Sequence, residues 1–162
     1  MKIALLVVDM QKHFLQNLEH NKVAGACEYI NYVAKILRAK GHPIIHIQDV
    51  EEAGAVSAEL LDFIPEINRE QEELIVTKIY SNAFWKTELE QILADRQIGF
   101  VVVAGNSAEY CVLSTYNGAI ERGFKAAILQ RGIVSANDDV IASTYRDRHV
   151  ISYPVIEFMV NS

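Results

Sequence analysis

Six short apolar runs punctuate the chain: Ile3–Val8, Pro43–Gln48, Leu74–Thr77, Phe100–Ala104, Ala126–Leu129 and Val150–Ile156. Within each run the apolar residues are continuous and do not alternate with polar ones. A strand buried on both faces has no solvent side to make polar, so this pattern predicts strands of a mainly parallel sheet covered above and below. Between the runs the spacing changes. Val23, Cys27, Ile30, Ala34 and Leu37 recur every three or four positions, the period of a helix face, and Gly41 ends that helix. Trp85, Leu89, Ile92 and Leu93 mark a second helix. Val112, Tyr116, Ala119 and Ile120 mark a third, ended by Gly123, and Val140, Ile141, Thr144 and Tyr145 mark a fourth. Strands alternating with helices predict a doubly wound α/β fold in three layers, with a mostly parallel sheet of six strands. The stretch from Asp49 to Glu73 is acidic and weakly periodic, and predicts a long loop or short-helix insertion over one end of the sheet. No repeat or linker divides the sequence, so a single domain over residues 1–162 is expected.

Composition narrows the partners. Apolar residues make up 51% and charged residues 22%, ordinary values for a globular domain. The net charge of −6 argues against nucleic acid or an anionic membrane surface as a partner. No run reaches membrane-spanning length, and Ile3–Val8 is too short for a secretory signal core. A cytoplasmic protein acting on a small molecule is the expectation. Cys27 and Cys111 are the only cysteines, far apart and without a CxxC motif, so a single reactive thiol is open and a disulfide framework is not expected. Cys27 falls on an apolar helix face and reads as core. The five histidines, His13, His20, His42, His46 and His149, lack metal-ligand spacing.

In open parallel sheets ligands bind beyond the carboxyl ends of the strands. The first run is followed by Asp9 and the third, through Thr77, by Lys78. The fourth is followed by a turn that delivers Cys111 at a helix start. A carboxylate, an ammonium and a thiol at three strand ends are the parts of an activated-nucleophile site. Asp9 can take the thiol proton as general base. A helix N-terminus and a nearby cation both favour a thiolate, so Cys111 is expected to ionise below the ordinary thiol range if Lys78 is close. Backbone N–H groups around Ser107 and Cys111 can form an oxyanion hole. Each residue also has a plainer reading: a cysteine that packs, an aspartate that caps a loop, a solvated lysine. Glu109, in the first turn, most simply complements the helix dipole. Trp85 and Phe84 suit either the core or a pocket wall. With Phe14 and Tyr110, they are the candidates for lining a substrate pocket.

Three stretches occur together and in order: "LLVVDMQKHFL", "VTKIYSNAFWKTELEQIL" and "GNSAEYCVLSTYNGAIERGFKAAIL". They resemble the isochorismatase-like cysteine hydrolase superfamily from residue 3 to about residue 135. The resemblance implies a Rossmann-like six-stranded parallel sheet flanked by helices and a catalytic trio of Asp9, Lys78 and Cys111. It implies hydrolysis of a C–N bond in a small amide, ureido or carbamoyl compound through a cysteine-bound acyl intermediate. It also implies a cis peptide at Asn106–Ser107 and a homo-oligomer, for which the apolar "VISYPVIEFMV" gives added reason. This sequence departs from the family pattern at His13, where aspartate is frequent, and at Asn106 and Ala108, where the usual threonine hydroxyl is missing. Some members bind metal through Asp-x-His and a further histidine, but Gln48 to Glu73 contains no histidine. No cofactor and no metal are therefore expected.

Other readings are weaker. A phosphoacceptor receiver domain needs an acidic pair after the first strand, and Met10 follows Asp9. A dinucleotide-binding domain needs a G-x-G-x-x-G turn, and no strand is followed by one. A non-catalytic scaffold of the same fold, and a hydrolase that does not use the cysteine as nucleophile, remain as alternatives.

Overall fold

The computed structural model describes residues 1–162. Six strands, β1 (Lys2–Val8), β2 (Ile44–Asp49), β3 (Leu74–Lys78), β4 (Ile98–Asn106), β5 (Lys125–Val134) and β6 (Val150–Ile151), form one sheet in the order β3-β2-β1-β4-β5-β6. Every neighbouring pair is parallel, so the sheet is wholly and not merely mostly parallel. The long helices are α2 (His20–Arg38), α4 (Leu89–Asp95), α5 (Cys111–Glu121), α6 (Asp138–Asp147) and α7 (Tyr153–Asn161). Two single turns, α1 (Lys12–Leu15) and α3 (Ala58–Leu61), complete the set. No helix is long and apolar enough to cross a membrane.

The continuous apolar runs are explained by two cores, one on each face of the sheet. On β1, Ile3, Leu5 and Val7 face the layer built from α2 and α7, beside Ile30, Leu37 and Ile156. Ala4, Leu6 and Val8 face the opposite layer, beside Leu89 and Leu93 of α4 and Val112, Tyr116 and Ala119 of α5. Alternate side chains therefore reach different apolar surroundings, and neither face needs polar residues.

The strand order places the site. From β1 the chain builds outward to β2 and β3, then returns to lay β4 on the other side of β1. The crevice beyond the carboxyl ends of β1 and β4 lies at that reversal, where loops diverge to opposite faces. The two strands approach closely there. Gly105 of β4 has φ 113°, and a Cβ on it would fall 2.2 Å from the Val8 carbonyl oxygen. Only glycine fits that backbone.

Two expectations are corrected. The run Val150–Ile156 is a strand only at Val150–Ile151, paired with Ile128 and Leu129, and α7 begins at Tyr153. Pro154 lies in the first turn of α7. Its missing N–H is harmless there and would break a strand ladder. Trp85 is not helical: α4 starts only at Leu89, and Trp85 closes a turn through its N–H to the Asn82 carbonyl at 3.0 Å. Between Asp49 and Glu73 the only regular element is the single turn α3, as the weak periodicity predicts.

Candidate active site

Four polar side chains meet at the carboxyl edge of the sheet. Asp9 follows β1 directly, Asp49 and Lys78 end β2 and β3 as register partners, and Cys111 opens α5 after β4. The Lys78 Nζ lies 3.0 Å from Asp9 Oδ2, 3.0 Å from Asp49 Oδ2 and 3.3 Å from Cys111 Sγ. Asp9 and Lys78 are each only 2% exposed, and Asp49 is 9% exposed, so these charges interact with little solvent screening. One ligand atom each of Asp9, Asp49 and Cys111 falls within 4.8 Å of the others, and Asp9 Oδ1 has no protein partner. Asp9 also holds a left-handed backbone, φ 49°. Such a conformation is costly for a residue with a Cβ and tends to persist where surrounding structure imposes it.

Burial raises Asp9 to about 6, against the opposing pull of Lys78. Burial also opposes the charge of Lys78, but Asp9 and Cys111 outweigh it and hold the ammonium above its ordinary range. Cys111 is pushed up to about 12, first by burial and then by the Asp9 carboxylate, which together exceed the help from Lys78. This corrects the expectation of a depressed thiol. The lysine is close, as required, but burial and the Asp9 carboxylate outweigh it, so the thiol form of Cys111 is favoured at rest.

The turn before α5 is built from Asn106 to Tyr110. The Asn106–Ser107 peptide bond is cis. The Ala108 N–H donates to the Val134 carbonyl at 2.9 Å, while the Ser107 N–H has no acceptor within the protein. Cys111 is the first residue of α5, where backbone N–H groups lack helical partners. Glu109 does not act as a dipole-complementing residue inside the helix, since α5 starts two residues later. Its carboxylate accepts from the Ser107 hydroxyl and, at 2.7 Å, from Ser135 Oγ, tying the turn to the segment after β5.

The aromatic candidates separate. Phe84 is 3% exposed, stacks on Phe124 at 6.0 Å and belongs to the core beneath α5, so it is a packing residue. Trp85 and Tyr110 are 51% and 66% exposed. Phe14, on α1, is half-buried with its ring centroid 5.2 Å from His13, whose Nε2 reaches Glu52 at 2.8 Å. A surface cleft of about 760 Å³ lies elsewhere, lined by Tyr29, Tyr32 and Tyr153 among others, and contains none of these residues.

Asp49 was missed by the sequence reading because the apolar run stops at Gln48 and the aspartate merges with the acidic stretch after it. The strand-end rule that singled out Asp9 applies equally to it. Its backbone is fixed by the fully buried Gln11, whose amide accepts from Asp49 N–H at 2.8 Å and donates to Asp49 O at 2.9 Å and Leu61 O at 2.7 Å. A metal does not fit this set. The ammonium of Lys78 already sits among the three donors, and the segment from Val50 to Glu73 contains no histidine to complete a ligand set.

Comparison with known proteins places the chain. The family model for the isochorismatase domain matches residues 3–147. An isochorismatase family protein of Bacillus subtilis, YaaI, is 30% identical over 154 residues, covering 84% of this chain and 82% of the relative. An isochorismatase-like hydrolase from Alkaliphilus metalliredigens superposes with a TM-score of 0.87 at 24% identity, covering 98% of this chain and 99% of the other. The N-carbamoylsarcosine amidase of Thermoplasma acidophilum superposes with a TM-score of 0.80 at 22% identity, covering 94% and 97%.

Proposed function

Because the chain belongs to the isochorismatase family of hydrolases, we propose that it cleaves a C–N bond of a small amide, ureido or carbamoyl compound through an acyl-cysteine intermediate. The observation that carries this reading is the Lys78 ammonium, buried between the Asp9 carboxylate at 3.0 Å and the Cys111 sulfur at 3.3 Å. The amidase among the structural neighbours supports the bond type.

In this reading Asp9 takes the Cys111 proton as the sulfur attacks the carbonyl carbon. Charge develops on the carbonyl oxygen, and the N–H groups of Ser107 and Cys111 are the donors available to it. The intermediate collapses, the C–N bond breaks, and the proton held by Asp9 leaves with the amine. Water then attacks the thioester, Asp9 accepts its proton, and the C–S bond breaks to release the acid and regenerate the thiol. Lys78 stays charged throughout. It stabilises the sulfur as it gains negative charge and steadies Asp9 between its two states.

The test is a panel of small amides and ureides, with intact-mass detection of an acyl adduct on Cys111. Cys111→Ser is expected to lower kcat on the order of 10⁴-fold or more, since a hydroxyl is a far weaker nucleophile without a strong base. Near-wild-type turnover by that variant would rule out covalent cysteine catalysis.

A further inference from the structure

We infer that Asp49 is a positioning residue of this site, which anchors the Lys78 ammonium and sets the charge against which the Cys111 thiol ionises. The inference rests on the hydrolase reading above for its catalytic consequence, but its electrostatic part stands on geometry alone.

Three observations carry it. First, Lys78 Nζ is equidistant from Asp49 Oδ2 and Asp9 Oδ2, 3.0 Å each, so neither carboxylate holds it alone. A flexible four-carbon side chain with two anchors loses the freedom it would keep with one. Second, Asp49 is itself held rigidly. Gln11 brackets both its backbone N–H and its carbonyl, and its Oδ1 accepts the Glu51 N–H at 2.9 Å, which leaves Oδ2 for the lysine. Third, the sign of the site depends on it. With Asp9 and Asp49 ionised and Lys78 protonated, the buried cluster carries one net negative charge before the thiol ionises. A thiolate would be a third anion around one cation. Without Asp49 it would be the second, beside a cation undivided between two carboxylates. The charged groups facing Cys111 are Asp9 from the end of β1, Lys78 from β3 and Asp49 from β2. The remaining carboxylate of the turn, Glu109, is bound by the hydroxyls of Ser107 and Ser135.

A site of this kind keeps its nucleophile as a thiol until substrate is bound. A free thiolate is the form attacked by oxidants and alkylating agents. Asp49 makes Cys111 a resting thiol that ionises only as its proton passes to Asp9.

The experiment is site-resolved alkylation of Cys111 by iodoacetamide across pH, read by mass spectrometry so that Cys27 is scored separately, with kcat and KM measured in parallel. Asp49→Asn removes the charge while an amide oxygen can still accept the Glu51 N–H. The Cys111 alkylation profile is expected to move to lower pH by about one unit, the size expected for one nearby charge in a partly screened site. Asp49→Glu keeps the charge but lengthens the reach. Its alkylation profile is expected not to move to lower pH, while kcat falls about 10²-fold with little change in KM, because Lys78 is displaced. Should the asparagine variant melt below the working temperature, Asp49→Ser provides a second neutral side chain for the same measurement.

Coincident alkylation profiles for wild type and the neutral variants would overturn the inference, as would identical shifts in the neutral and glutamate variants. Alkylation needs no substrate, so this result is separable from the hydrolase reading. That reading fails if Cys111→Ser retains turnover. The inference about Asp49 fails if the profile does not move.

Discussion

Asp9 combines two costs at one residue. Its backbone is left-handed, and its carboxylate is buried with one oxygen unpartnered. The folded protein raises it from 3.8 to about 6, so between those values the folded chain holds a proton that the unfolded chain has released. The stability Asp9 contributes is therefore present in acid and is lost as pH rises through that window. Asparagine removes the charge and tolerates the left-handed backbone better than most residues. Asp9→Asn is expected to melt at or above the wild-type temperature near about pH 8, while losing hydrolysis. Thermal melts at about pH 4 and about pH 8, with the advantage confined to the higher pH, check the sign. In the wild type kcat/KM is expected to rise as Asp9 deprotonates around about 6. At this scale the sequence was informative about identity and silent about environment. Asp9, Lys78 and Cys111 were legible from their places after apolar runs. The upward shift of Cys111 was not, because its burial and the approach of the Asp9 carboxylate are properties of the assembled sheet.

Among the elements, α5 does more than present Cys111. Thr115, fully buried on that helix, accepts the Ala83 N–H at 3.1 Å, and Gly118 one turn further on lets Asn82 lie against the helix. A Cβ at Gly118 would fall 2.4 Å from Asn82 Oδ1, the atom that accepts the Phe84 N–H. The loop after Lys78 is thus fastened to the helix that carries the thiol. Thr115→Val keeps the shape but leaves the Ala83 N–H without its partner, a loss of roughly 1–3 kcal/mol in stability. Denaturant unfolding measures it, and an unchanged midpoint would mean the loop is held by other contacts. The alternation of strands and helices was readable because β1, β2, β4 and β5 are largely buried on both faces, which leaves a plain apolar signature, and the edge strand β3 keeps enough apolar residues to share it. The Val150–Ile156 run was misread because residue type alone does not separate a short buried strand from the apolar face of α7. Pro154 was the available signal.

Across the whole molecule, several large apolar side chains remain uncovered, among them Val155 and Phe158 of α7, 48% and 74% exposed, and Tyr110 next to Cys111. We propose that the chain assembles as a homo-oligomer. Sedimentation velocity at micromolar concentration is expected to show a dimer or larger species, and a monomer would refute it.

The fastening of Asp49 by Gln11 has a consequence for diversification. Gln11 touches only main-chain atoms, the N–H and carbonyl of Asp49 and the carbonyl of Leu61. Gln48 also donates to the Leu61 carbonyl, and the Lys12 and Ile64 N–H groups meet the Asp62 and Met10 carbonyls. An attachment made through backbone is indifferent to the side chains it holds. Leu61, Phe63, Ile64 and Ile67, which are buried, stay as part of the frame. The segment from Glu51 to Leu60, which holds no buried residue, can therefore change its side chains while its ends stay docked beside the reacting atoms. It behaves as an exchangeable cassette, on which a new specificity can be written without rewriting the chemistry below it.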